Sequence, residues 1–281
     1  MIKKTLISML AVMTLAFSAG AADYESLKDL RYGEKRTDIP ADDPTQDRVL
    51  DIWYPEGEAP AKGWPVVMFI HGGGFAGGDK AMSSGLKPLF YGMLEKGYAV
   101  VSIDYCLTRK NDKSVRVSCT QQMKNGFPPS GDYHPAMQKA IQDASNDAGL
   151  ALQWIAKNSR KYGLDKKRIA IMGGSAGAIT CLYTAFVYPP KKPRIKAVIN
   201  CWGAINDVRR IDNAKIPVLT FHGDKDALIN VCYGEEIQKR LEAIGSESSK
   251  FIFMEGKGHA QYKYVGTTLI GEVTGFLDKV L

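Results

Sequence analysis

Short apolar runs, spaced by longer segments of mixed polarity, set the rhythm of this chain. Runs at 49–54, 65–70, 98–103, 168–172, 195–200, 216–221 and 250–254 are the length of buried strands, and β-branched residues are frequent in them. A further strand is expected near residues 30–35, pairing with the first of these as an antiparallel edge hairpin. From Pro65 onward the strands alternate with stretches of helical periodicity, which predicts a mostly parallel sheet covered on both faces. The longest helical pattern runs from 135 to 162 and stops at Gly163, a residue suited to a left-handed helix end. Another apolar helix is expected over 176–187, ended by Pro189-Pro190. No internal repeat or low-complexity linker divides the pattern, so one α/β domain is predicted over residues 23–281.

Two stretches break the rhythm. Residues 1–22 begin with Lys3 and Lys4, continue through an apolar run at 6–17, and close on Ser18-Ala19-Gly20-Ala21-Ala22. This is the grammar of a secretory signal peptide, cleaved after Ala21 or Ala22. The run is short for a membrane span, and no cysteine follows it to carry a lipid, so no stable membrane anchor is expected. The mature protein is expected to be secreted or periplasmic, from a bacterium. The second break, 106–134, is a polar stretch with Pro128-Pro129 and Gly131. Long irregular segments in compact domains are usually lids or binding loops, and a lid or pocket wall is preferred here over a passive surface insertion.

Charge and cysteine content narrow the classes. The chain has 281 residues and a formal net charge of +7, which becomes +5 without the two leader lysines. The remaining cations are not interleaved with aromatic residues, so nucleic acid is not an expected partner. Five cysteines leave at least one thiol unpaired within the chain. Cys106 and Cys119 flank one loop and could bridge in an oxidising compartment, whereas Cys181, Cys201 and Cys232 lie in apolar surroundings and are expected as buried thiols.

The chemistry concentrates at strand ends. Gly173-Gly174-Ser175-Ala176-Gly177 joins an expected strand to an expected helix. Gly-x-Ser-x-Gly at such a junction makes a nucleophile elbow, in which a strained turn lifts the serine hydroxyl above the sheet. His71-Gly72-Gly73-Gly74 follows another strand, and its amides, with that of Ala176, are candidates to meet a developing oxyanion. The alternative use of such glycines, a phosphate loop, lacks its Gly-Lys-Ser/Thr ending. Phe221-His222-Gly223-Asp224-Lys225-Asp226 supplies two candidate acids. Asp226 is preferred for orienting a base, leaving Asp224 to brace the turn. Gly256-Lys257-Gly258-His259 supplies the base. His71 and His222 are read as supports, His134 is uninformative, and Asp-Lys-Asp lacks the further ligands of a calcium loop. Serine-acid-histidine chemistry of this kind requires neither metal nor organic cofactor.

These segments together resemble the α/β-hydrolase carboxylesterases and lipases with a His-Gly-Gly-Gly motif, related to hormone-sensitive lipase. The likeness extends through Gly78-Asp79-Lys80, Ser102-Ile103-Asp104-Tyr105, 147–155 and Tyr162-Gly163-Leu164-Asp165. It implies an α/β-hydrolase fold with a mostly parallel eight-stranded sheet and helices on both faces. It also implies a Ser175, Asp226, His259 triad, with Gly73, Gly74 and Ala176 as oxyanion donors. The chain departs from the family at Cys106, where an arginine is usual, and at Ala178, often glycine. With the leader, Ile199-Asn200-Cys201-Trp202-Gly203 looks like secreted bacterial feruloyl and acetyl xylan esterases. Trp202 and Phe75 are candidate pocket residues. The expected substrate is a small-molecule or polysaccharide ester. A short-chain carboxylesterase or lipase is the nearest alternative. A serine peptidase stands further off, since peptidases of this fold commonly carry a large further domain for which this chain has no room, and so does a carbohydrate-binding relative without catalysis, since every triad role here has a candidate.

Overall fold

Residues 66–70 alternate sides along one strand: Val66, Met68 and Ile70 enter one apolar cluster, Val67 and Phe69 another. A strand buried on both faces needs a layer on each side, and the chain supplies both. The computed structural model describes residues 24–37, 39, 43, 47–111, 121–127 and 131–281. The expected leader at 1–22 lies outside the described residues, as does Cys119.

Eight strands form one sheet: β1 (Ser26–Arg31), β2 (Val49–Trp53), β3 (Trp64–Ile70), β4 (Ala99–Ile103), β5 (Leu164–Gly174), β6 (Ala197–Cys201), β7 (Val218–Gly223) and β8 (Lys250–Met254). Their order is β1-β2-β4-β3-β5-β6-β7-β8. β1 and β2 are antiparallel to each other, and β2 to β4; the pairings from β4 through β8 are parallel. The edge hairpin forms as expected, but its first strand lies upstream of 30–35. A register shift between Leu27 and Leu30, with Asp29 at φ 54°, interrupts the side-chain alternation that would have marked it.

Helices α1 (Lys87–Glu95), α6 (Tyr262–Thr267) and α7 (Ile270–Val280) lie on one side of the sheet. α3 (Pro135–Asn158), α4 (Ala176–Phe186) and α5 (Cys232–Ala243) lie on the other, and the short α2 (Thr108–Asn111) contacts α3. Pro135 starts α3, where its missing N–H costs nothing, and His134 Nδ1 caps it by accepting from the Ala136 amide at 3.2 Å. The helix ends at Asn158, before the expected stop, and Gly163 then takes a left-handed φ of 60° on the way into β5. Among the described residues, no helix is long and apolar enough to cross a membrane.

The described parts of 106–134 are pinned down. Asp147, almost fully buried, accepts from Arg36 Nη1 (2.5 Å), Arg48 Nε (2.8 Å) and the Cys106 amide (2.9 Å). The Asn230 amide donates to Met123 O at 3.0 Å, and the Tyr233 hydroxyl to Gly126 O at 2.5 Å. Cys106 is a free, buried thiol, its Sγ 3.3 Å from Thr108 Oγ1.

Candidate active site

The site is built at the carboxyl ends of the parallel strands. β5 runs straight into α4 through Ser175, whose φ of 55° and ψ of −123° place a non-glycine residue in strained backbone. The turn is this tight only because its flanks lack side chains. A Cβ on Gly173 would sit 2.5 Å from the Gly177 carbonyl carbon, and one on Gly177 would sit 2.0 Å from Ile70 O.

The loop after β3 is equally constrained. The His71 ring stacks on Tyr105 with centroids 4.4 Å apart, and the Tyr105 hydroxyl donates to His71 O at 2.9 Å. Burial pushes the His71 imidazole down to about 4, against smaller upward pulls from Gly72 O and Asp79, so the ring is neutral at ordinary pH. Gly73 and Gly74 take φ of 113° and 63°. Among the described residues, the amides of Gly73, Gly74 and Ala176 have no hydrogen-bond acceptor.

Asp226 and His259 meet. His259 Nδ1 donates to Asp226 Oδ2 at 2.7 Å, while Asp226 Oδ1 accepts from the Leu228 and Ile229 amides at 2.9 Å each. Beneath them lies fully buried His222, whose Nε2 donates to Ile229 O at 2.9 Å and stands 3.4 Å from Asp226 Oδ2. Burial raises the Asp226 carboxyl, but hydrogen bonds from His222, His259 and the Ile229 amide outweigh it. The group is held well below the usual carboxylate range. Asp224 instead ties the two loops together, accepting from the Gly256 amide at 2.6 Å, and the Lys225 amide donates to Lys257 O at 2.9 Å.

Ser175, His259, Gly73 and Gly74 line one cavity of about 470 Å³. Its lining also includes Asp79, Ser83, Leu86, Leu228, Ala260 and Tyr262. One pocket expectation changes and the other holds. Phe75 is not in the lining: it is 1% exposed, packed edge-on to Tyr105 beneath the glycine loop, with φ 61° turning it inward. Trp202 is in the wall but fully buried, edge-on to His259 at 6.2 Å and to Tyr262 at 4.9 Å, so it backs the base. None of the described residues of 106–134 lines the cavity. The sequence reading missed Tyr262. Its hydroxyl, buried and without a partner among the described residues, lies against Gly174. An aromatic three residues after the candidate base was the available signal.

Residues 57–279 match the family model described as phospholipase/carboxylesterase. The chain belongs to this family. An uncharacterized esterase/lipase of Schizosaccharomyces pombe is 30% identical over 151 residues, covering 53% of this chain and 25% of its own length. Esterase LipC of Mycobacterium tuberculosis is 23% identical over 280 residues, covering 83% of this chain and 61% of the relative. A chlorogenic acid esterase of Aspergillus niger is 29% identical over 168 residues, 59% of this chain and 28% of that protein. The chain thus spans about three fifths or less of the length of these family relatives. Among solved structures, a truncated carbohydrate esterase from gut microbiota superposes with TM-score 0.63 at 17% identity, covering 91% of this chain and 96% of that one. Esterase 2 of Thermogutta terrifontis does so with TM-score 0.68 at 17% identity, covering 90% and 94%. The fold is the α/β-hydrolase fold.

Proposed function

We propose that the protein is a secreted serine carboxylesterase working through an acyl-enzyme, with acetyl or feruloyl esters of polysaccharides as its substrates. The observation that carries the mechanism is the 2.7 Å Asp226–His259 pair opening on the same cavity as Ser175. The Ser175 hydroxyl attacks the ester carbonyl and passes its proton to His259 Nε2. Asp226 keeps the Nδ1–H tautomer and stabilises the imidazolium that forms. The oxyanion is received by the Gly73, Gly74 and Ala176 amides, each donor contributing about 3–4 kcal/mol to barrier lowering. His259 then protonates the departing alcohol, and water releases the acid by the same route.

The relative named chlorogenic acid esterase and the neighbour named carbohydrate esterase support the substrate class. A cavity of about 470 Å³, with Phe69 and Leu86 in its walls and Asp79 and Ser83 exposed at its rim, suits a compact acyl group on a hydroxylated alcohol. Secretion rests on the leader pattern of residues 1–22, and the amino terminus of exported protein should begin after Ala21 or Ala22. Acetate and ferulate release from acetylated and feruloylated xylan, beside p-nitrophenyl esters of increasing chain length, tests the substrate class. Ser175→Ala should abolish turnover and labelling by a fluorophosphonate. Unchanged turnover in that variant would refute the mechanism, and activity confined to short p-nitrophenyl esters would refute the polysaccharide assignment.

A further inference from the structure

At the opposite pole of the sheet, the amino ends of β3 and β5 border an open cleft of about 550 Å³. Lys62, Arg160, Lys166 and Lys167 stand on its rim, all exposed, and among the described residues none forms a salt bridge, although Lys167 lies close enough to Asp165 to favour its charged form. The single carboxylate in the lining, Asp165, is consumed locally. Its Oδ2 holds Arg168 Nε at 2.8 Å and its Oδ1 accepts from the Lys167 amide at 2.9 Å. The positive surface continues sideways. The Lys196 amide donates to Ile169 O at 2.9 Å, which brings exposed Lys192, Arg194 and Lys196 alongside the start of β5. Unpaired like charges held together cost stability and raise the local potential, so such a concentration favours an anion.

We infer that this pole binds a polyanionic polysaccharide, one bearing uronate carboxylates, at a site separate from the catalytic cavity; the polysaccharide identity rests on the carbohydrate-ester reading above. The cations are spread around an open cleft instead of converging on one point, which suits repeated charges along a polymer better than a single phosphate. Nucleic acid is disfavoured because the nearby ring of Tyr162 is occupied, stacked on Trp154 at 5.1 Å with Lys161 over it. Membrane insertion is disfavoured because, among the described residues, the exposed large apolar side chains Phe127, Leu228 and Phe253 all lie outside this cleft. The distance also has a use. Leu164 pairs level with Trp64 and Gly173 level with Ile70, so the cleft lies a rise of about 20 Å below the elbow. Polymer held at one pole would keep the enzyme at its substrate while leaving the cavity at the other pole free to turn over.

The test is affinity electrophoresis of the full chain carrying Ser175→Ala, at low ionic strength, in gels containing polygalacturonate, neutral arabinoxylan or neither. Retardation by polygalacturonate alone, abolished by added salt, is expected. Combining Lys62→Glu, Arg160→Glu, Lys166→Glu and Lys167→Glu should weaken that retardation by at least about tenfold. In the otherwise native chain the same four changes should leave p-nitrophenyl acetate turnover unaltered and a cooperative thermal transition in place. Equal retardation of the charge-reversed protein, or none of the parent, would overturn the inference. So would binding only to phosphatidylserine vesicles or to single-stranded DNA. A chain that binds polygalacturonate yet hydrolyses no ester would sink the catalytic proposal alone.

Discussion

Replacing Gly174 by alanine would set a methyl carbon 2.1 Å from the Tyr262 hydroxyl oxygen, 2.5 Å from Cζ and 2.8 Å from Cε1. Gly174 is not among the residues with positive φ, so the backbone accepts alanine and the collision is the whole effect. The ring cannot swing away freely, being edge-on to Phe69 at 5.9 Å and to Trp202 at 4.9 Å. Overfilling a packed site of this kind costs about 1–3 kcal/mol. Pressure on Trp202 also reaches His259, so kcat should fall while KM changes little. Tyr262→Leu removes the colliding atoms, and the double variant should lose at least about 1 kcal/mol less than the two single losses added together. Gly177→Ala is the contrast: its methyl would meet the backbone oxygens of Ile70 and His71 at 2.0 and 2.6 Å, which no side-chain change relieves. It should cost more than about 3 kcal/mol, with no rescue by Tyr262→Leu. Urea unfolding followed by tryptophan fluorescence, paired with p-nitrophenyl acetate kinetics, reads all five variants. Gly174→Ala within about 0.5 kcal/mol of the parent, or strict additivity with Tyr262→Leu, would refute the packing argument.

Asp226→Asn should lower kcat by about 10³–10⁴-fold, because an amide no longer fixes the Nδ1–H tautomer of His259; steady-state kinetics on a short ester decides it. Asp147→Asn should destabilise by about 3–5 kcal/mol in urea titration, since it removes the buried charge that faces the Arg36 and Arg48 guanidinium groups. His71 gives a pH signature. Its folded value is depressed to about 4, so below about 6.5 the unfolded chain takes up a proton that the folded chain refuses. Stability should therefore fall as pH drops from about 6.5 and level off near 4, by about 3 kcal/mol in total. His71→Phe should remove that part of the slope, as unfolding titrations across the window would show.

The strand ends were the most legible part of this sequence because glycine and reactive residues mark them. Gly-x-Ser-x-Gly, the His71 loop, and the acid and base loops were located from residue type and order, and the structure brings Asp226 against His259 and both candidate loops onto one cavity. Apolar runs found seven strands, six of them well buried and β8 apolar though largely part-exposed at the sheet edge. They missed the true extent of β5, whose first residues, Leu164 to Lys167, include three charged side chains and join the sheet through backbone pairing of Leu164 with Trp64. β1 was misplaced because its bulge destroys the alternation. The cavity walls were not legible. Leu86 and Tyr262 are far apart in sequence and meet only because α1 packs against α6, where a Cβ on Gly266 would touch the Leu89 backbone at 2.3 Å. Phe75 was misread for the converse reason: adjacency to the glycine loop says nothing about which way a left-handed backbone turns the ring.

Among the described residues, five non-glycine residues have positive φ, and four of them, Phe75, Ser175, Trp202 and Ala260, belong to the loops that frame the cavity. Each such residue stores about 1–3 kcal/mol, so together they hold a sum comparable to the whole net stability of an ordinary domain. The pole with the basic cleft contains no such residue among those described. A laboratory population selected for heat resistance alone would accordingly drift toward glycine at these four positions, gaining stability while the cavity loosened. The rim of the candidate site is the part of this molecule that only continued use would keep in place.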